Sequence, residues 1–500
     1  MIYDIRNDKQ NTFKIPISKF LTAIGTLVFF LIYCACYELK FINEDIAIFL
    51  LSVLGWISLV FSIFTWKKIT GMYFTLYTIF IIFAYLFNYG QCLMWALGIH
   101  FKGEIGTTWL YTLPIPSKNG IIKTQMISLM GLVAFHCGAL LMARKTRKDK
   151  IARIDSGKIL KNLESRVLWE ICRVTLIISM LCMYYALIRD VVINRIYGYG
   201  ATLYNQDVVA SQNNIVLLVR MMFFPSIIGI LIGRGYNKTD RIVCYLAFAV
   251  FVILNIMGGH RGTWIYPLII LIWMDHTFIK RINVKKGFLY LISGIFIVLL
   301  TVAVRNTRGT SISLSSIMYS VINEENPIVS AVFEMGGSMR PALIITEHGW
   351  GKYPYGNTYI LAVFGMVTER VIKIFIPNYI GVSSWFSQVY LGIKYGAGFS
   401  MIAEALINYG PYSSIPFLFL LGVIYSRLIT TNDVDVNEHP LTMFVKISAL
   451  YVMIYSVRNY ILGSLKLFVF STLFIYIAVL FVRNYKKARL RHSFIFEKKG

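Results

Sequence analysis

Four arginines stand among small residues at the edges of apolar runs. Arg261 lies in Gly258-Gly259-His260-Arg261-Gly262. Arg305 and Arg308 lie in Arg305-Asn306-Thr307-Arg308-Gly309, and Arg340 closes Gly336-Gly337-Ser338-Met339-Arg340. A guanidinium is a planar, permanently charged fork that binds phosphate bidentately. Flanking glycines let backbone amides approach the same anion. The competing reading is snorkelling to headgroups, or pairing with Glu334, Glu347 or Glu369. One carboxylate is out of place: Glu404 lies inside the apolar stretch Phe399–Gly410. There it needs a partner or a job. A dehydrated carboxylate suits a general base, and an ion pair with one of the arginines is the equal alternative. His260 and His348 are further base candidates, each also readable as a hydrogen-bonded structural residue.

The elements that must position these groups follow from composition. Of 500 residues, 57% are hydrophobic and 15% charged, with a mean hydropathy of +0.65. A soluble domain carries about a quarter charged residues. The chain is therefore no soluble enzyme, and the pattern predicts an all-α polytopic protein, one integral membrane domain over residues 1–500. A span needs about 20 apolar residues. Twelve runs qualify: Ser18–Tyr37, Ile46–Trp66, Gly71–Asn88, Thr124–Ala143, Leu168–Ile188, Ile215–Gly233, Ile242–Met257, Trp264–Ile279, Gly287–Val304, Pro411–Leu428, Thr442–Val457 and Leu465–Val482.

The net charge of +25 is concentrated at the ends of these runs. Cytoplasmic loops retain Lys and Arg, so the charge reads as topology, with anionic lipid as its partner and no nucleic acid. No zinc-finger, helix-turn-helix or RNA-binding pattern competes. Arg6, Lys9 and Lys14 then lie in the cytoplasm, with Lys67-Lys68, Arg144–Arg166, Arg234–Arg241, Lys280–Lys286 and the tail Arg483–Lys499. Both termini are cytoplasmic. The outward connections are Glu38–Asp45, His100–Lys123, Arg189–Asn214 and a long one from Arg305 to about Gly410. One inward loop, Thr430–Pro440, is acidic and fits this scheme poorly. Long loops carry function, and in this one Thr358–Phe375 and Phe399–Asn408 are apolar enough to enter or lie on the membrane. All four arginines fall outside, against the topological bias. An outward cluster at membrane depth is what a lipid pyrophosphate would need.

Other chemistries find less support. Asp433-Val434-Asp435 resembles the aspartate pair that holds metal and nucleotide sugar in soluble glycosyltransferases, but it sits alone in a cytoplasmic loop and reads as a solvated turn. There is no Walker A, GxGxxG or HExxH, and no metal site or cofactor is expected. The seven cysteines form no CxxC pair and read as small buried hydrophobes.

Ala397-Gly398-Phe399-Ser400, then Ala403-Glu404-Ala405 and Asn408-Tyr409-Gly410, resembles the G-x-G-x-S-x-x-A-E-x-x-x-N-x-G stretch of Wzy-type oligosaccharide repeat-unit polymerases, which make bacterial O-antigen and capsular polysaccharide. Leu86–Gln91 is similar to the family's early Phe-rich Gly-Gln motif. The Gly259–Gly262 turn, Val304-Arg305-Asn306 and Phe333–Ser338 agree in the same order. The resemblance runs from about residue 80 to 425, and the flanks agree in hydropathy only. Gly396 in the small-residue run and Pro411 depart from the pattern without removing a candidate group.

The resemblance implies a GT-C-like bundle in the bacterial plasma membrane with its site facing outward. It implies an undecaprenyl-pyrophosphate-linked oligosaccharide as substrate, with a flippase and a chain-length regulator as associated proteins. Arg261, Arg305, Arg308 and Arg340 would hold the pyrophosphates; Glu404 or His260 would orient or deprotonate the acceptor. Three rivals remain: a lipid-linked glycan flippase or other transporter, an O-antigen ligase, and a membrane scaffold. The chain lacks the similar halves usual in carriers, and the Glu404 stretch favours the polymerase over the ligase.

Overall fold

A computed structural model describes residues 17–145, 153–197, 214–258, 263–283, 327–431 and 434–497, with Gly287 and Gly294. Among these residues there is no strand, only an isolated bridge between Leu110 and Leu113. Ten helical stretches among the described residues are long and apolar enough to cross a membrane, and two shorter apolar helices, Ile24–Tyr37 and Ile265–Phe278, accompany them. The protein is an all-α, multi-pass membrane protein. The predicted spans fall on helices, except Gly287–Val304, which lies almost wholly outside the described residues.

The first four helices are α1 (Ile17–Tyr37), α2 (Glu44–Thr70), α3 (Leu76–Trp95) and α4 (Lys118–Met142). Local sequence explains their ends. Asn43 caps α2 by accepting from the Ile46 amide at 3.1 Å; Glu44 and Asp45 fill the first turn, and Lys67 and Lys68 the last. Those charges complement the helix dipole. Gly71, at φ 88°, then turns the chain in a left-handed conformation. α3 starts later than the hydropathy suggests because Thr75 caps it. α2 leaves Phe49, Ile57, Val60 and Phe64 exposed, the surface a lipid-facing helix presents.

Then follow α5 (Ser156–Lys161), α6 (Leu163–Tyr197), α7 (Asn214–Arg220), α8 (Phe223–Gly233), α9 (Lys238–Gly258) and α10 (Ile265–Phe278). After them come α11 (Pro327–Gly336), α12 (Arg340–His348), α13 (Thr358–Gly365) and α14 (Arg370–Phe375). The last are α15 (Met401–Ile429), α16 (Pro440–Val457), α17 (Ile461–Phe468) and α18 (Phe474–Glu497). The upper end of the bundle is defined here as the end where α3 stops and α4 starts.

The core seam joins α4 to α15. A Cβ on Gly422 would lie 1.9 Å from the Phe135 carbonyl oxygen, and one on Gly138 would lie 2.0 Å from that of Phe419. Only glycine lets the two backbones meet, the usual device where lipid supplies no hydrophobic drive between helices. At the lower end, the Asp155 amide donates to Asn437 Oδ1 at 2.9 Å, and Arg483 pairs with Glu164 at 2.7 Å. Asp435 accepts from the Asn437 amide at 2.8 Å, so the part of Asp433-Val434-Asp435 that is described forms a turn; Asp433 lies outside the described residues.

The described part of the predicted long loop, 327–410, is largely helical. Ile328–His348 is itself long and apolar enough to cross, yet its contacts hold it against the upper end. Gln91 Nε2 donates to the Phe333 carbonyl at 2.8 Å; Arg340 Nη2 donates to the Gly103 carbonyl at 2.8 Å; Glu347 accepts from the Ser117 amide and hydroxyl, each at 2.6 Å. Gly90 and Gly336 allow the close approach, since a Cβ on Gly336 would sit 2.4 Å from the Gln91 amide. α15 also begins at Met401, ahead of the predicted Pro411. Gly410 (φ 71°, ψ −177°) breaks it into two pieces, with Trp350 packed where a Cβ would go.

Candidate functional site

The upper piece of α15 carries the family-like residues. Ser400 caps it by accepting from the Ala403 amide at 3.2 Å, which places Glu404 in the first turn. The approach to the cap is fixed as well: Ser387 Oγ accepts from the Ala397 amide at 3.0 Å, and Tyr111 donates to the Ala397 carbonyl at 2.6 Å.

Glu404 is only 2% exposed. Thr358 Oγ1 donates to its Oε1 at 2.6 Å, and the Ile461 amide to its Oε2 at 2.7 Å. Asn408, one turn further on the same face, completes the clasp. Its Nδ2 donates to Thr358 Oγ1 at 2.8 Å and to the Glu404 carbonyl at 2.6 Å, while its Oδ1 accepts from the Thr358 amide at 2.8 Å. The Ala403-Glu404…Asn408 spacing is thus explained: one helix face grips the start of α13 and the start of α17 together. Tyr359 packs beside this clasp on Phe417 (ring centroids 4.4 Å) and Tyr409 (6.0 Å). A small cavity lies between Tyr359, Met401, Glu404, Tyr425, Ser456 and Ile461, with room for about a single water. The Tyr359 hydroxyl is buried with no hydrogen-bond partner among the described residues.

Among the described residues no arginine pairs with Glu404; a hydroxyl and a backbone amide hold it. Two of the carboxylates suggested as arginine partners are engaged elsewhere. Glu347 caps α4, and Glu369 pairs with Lys466 at 2.5 Å. Arg340 instead uses one nitrogen on the Gly103 carbonyl, while its buried Nε has no partner among the described residues. Its fork keeps donors for a ligand. His348 ends α12, half-buried. His260, Arg261, Arg305 and Arg308 lie outside the described residues. The flanks of His260 and Arg261 are anchored: Asn194 donates to the Gly258 carbonyl at 3.3 Å, and Thr263 to Asn255 at 2.6 Å.

Arg458 was missed. It follows α16, whose C-terminal end reaches the upper end, and its guanidinium lies 5.5 Å from the centroid of the Phe87 ring. It also reaches the Tyr266 hydroxyl. Three residues later comes Ile461, whose amide binds Glu404. The signal that singles out the other arginines, a cation in an outward connection, applies here too.

Compared with known proteins, the sequence matches the family described as O-antigen polysaccharide polymerase Wzy over residues 19–489. No characterised protein and no solved structure gives a match.

Proposed function

The chain belongs to the O-antigen polysaccharide polymerase Wzy family, and from that premise we propose that it lengthens a glycan carried on undecaprenyl pyrophosphate at the outer face of the bacterial plasma membrane. The acceptor is a second lipid-linked repeat unit. Its sugar hydroxyl oxygen bonds to the anomeric carbon of the donor; the bond from that carbon to the diphosphate oxygen breaks; undecaprenyl pyrophosphate leaves. The acceptor proton passes to a base, for which His260 is the candidate. Negative charge grows on the leaving diphosphate, and Arg261, Arg305, Arg308 and Arg340, preset around it, stabilise the transition state. No cofactor enters this scheme. The upper end of the bundle is then the outer end, both termini are cytoplasmic, a flippase supplies the substrate and a chain-length regulator sets the product.

The observation that carries this reading is the clasp around Glu404. The family-like stretch folds into a buried polar group that ties α13 to the segment beginning just after Arg458. With both oxygens engaged and little exposure, Glu404 acts in this scheme by orienting the site, a positioning residue, while the arginines and His260 meet the substrates.

The test uses purified protein in nanodiscs with the matching undecaprenyl-pyrophosphate repeat unit, EDTA and no nucleotide sugar. A ladder of repeat lengths is the expected result. Replacing Arg261, Arg305, Arg308 and Arg340 singly by Ala should slow it by roughly 30–1000-fold, about 2–4 kcal/mol per contact. Unchanged yield and length in all four variants would falsify the arginine assignment. Absence of a ladder with intact substrate and folded protein would move the reading to the ligase or the flippase.

A further inference from the structure

The proposed reaction brings two lipid diphosphates together, donor and acceptor, and a second cationic recess is built elsewhere at the upper end. Arg220 is the last residue of α7, inside the apolar stretch Asn214–Gly233. The helix is interrupted directly after it, at Met221 and Met222, before α8 begins. A cation inside a span is costly, and such residues mark ligand paths. What Arg220 approaches is aromatic: Phe224, four residues beyond it, packs its ring 5.3 Å from that of Tyr451 of α16, and Tyr451 and Tyr455 lie within the electrostatic reach of Arg220. Arg458 lies within the same reach of Tyr455, with the buried Phe87 ring and the Tyr266 hydroxyl beside it. One carboxylate, Glu334 of α11, lies within reach of Arg458 and Tyr266. Among the described residues, two guanidiniums then face one carboxylate, a net positive balance. The recess is open: Arg458 is exposed and Tyr455 is 38% exposed, while Tyr266 and Phe87 form a buried floor.

We propose that Arg220 and Arg458, with the hydroxyls of Tyr266 and Tyr455, form a second diphosphate site, separate from Arg340, that holds the lipid diphosphate of one of the two substrates. This rests on the polymerase reading. Two forks from different helices suit the oxygens of a diphosphate, and a phenol hydroxyl donates to an anion as readily as to a carbonyl. The site is placed by the clasp described above, because the Ile461 amide held by Glu404 lies three residues beyond Arg458. Arg340 is anchored separately, on the Gly103 carbonyl of the α3–α4 connection.

The test counts bound farnesyl diphosphate on the full-length protein in phosphatidylcholine nanodiscs, alongside the polymerisation assay. Wild type should bind two equivalents. R220A/R458A should keep one, R340A should keep one, and the triple variant none. Where the alanine pair does not fold, R220K and R458K keep the charge but lose the fork; each should weaken one of the two sites by roughly 10–100-fold. Two undiminished equivalents in R220A/R458A, or in both lysine variants, would overturn the proposal. So would displacement of farnesyl diphosphate from this site by phosphatidylglycerol in the bilayer, which would make it a headgroup site. A wild type that forms a ladder while the R220A/R458A counts stay at two defeats the second site alone. A wild type that binds no diphosphate and forms no ladder defeats it together with the polymerase reading.

Discussion

The two pieces of α15 are held by opposite means. Below Gly410, the helix meets α4 backbone to backbone across Gly138 and Gly422. Ser426 Oγ also donates to the Ala139 carbonyl across this seam at 3.1 Å, but most of the stability is spread over many small dispersion contacts, each tiny and jointly large. Above Gly410, Met401–Tyr409 is tied by a few hydrogen bonds from Glu404 and Asn408 to Thr358 and Ile461. The first arrangement builds a scaffold that tolerates no added volume. The second gathers the orientation of three segments onto one buried carboxylate, where single atoms decide geometry.

That contrast can be broken from either side. The largest effect is expected from Gly422→Leu. Its Cβ alone would sit 1.9 Å from the Phe135 carbonyl oxygen, well past the overpacking that costs about 1–3 kcal/mol in ordinary cores. Fluorescence-detected size exclusion should show loss of the monodisperse peak; a folded variant with wild-type Tm would show that the seam can open. Next comes Arg340→Ala, where the two kinds of effect should separate: polymer formation falls by roughly 30–1000-fold while Tm hardly moves.

Glu404→Gln should lower polymer formation less than Arg340→Ala and lower Tm more. It keeps the shape but sets an NH2 where an acceptor is needed, at about 1–3 kcal/mol. Thr358→Ala should reproduce its loss of Tm and of polymer if the carboxylate orients; full activity in Thr358→Ala beside a dead Glu404→Gln would mean that Glu404 acts on the substrate itself. The smallest change is Lys466→Met. Its pair with Glu369 is partly exposed, 26% and 34%, and such pairs contribute about 0–1 kcal/mol. Thermal unfolding should barely register it.

The site was readable in part. Glu404 shows in the sequence because a carboxylate in an apolar run is a local anomaly, and Asn408 because it belongs to the family-like stretch. Arg340 shows for the same kind of reason. Their partners do not show: Thr358 is 46 residues away from Glu404 and Ile461 is 57 away, and no local pattern marks an amide as a carboxylate's partner. Arg458 was passed over because it reads as an ordinary span-end cation, and Arg220 because no local pattern links it to Arg458 until two helices bring them to one tyrosine. Ile328–His348 shows the limit from the other direction. Its hydropathy permits a crossing, and only its bonds to Gln91, Gly103 and Ser117 lay it along the upper end.

By itself, then, the sequence determined that this is an all-α membrane protein, where its spans fall, and which charged residues are anomalous, because lipid forces each spanning segment to satisfy its own backbone and exclude its own charges. Which helices touch, which apolar helix stays at one end, and what Glu404 and the arginines face were decided only by the tertiary structure, because those choices depend on close backbone approach and hydrogen bonds between segments far apart in the chain.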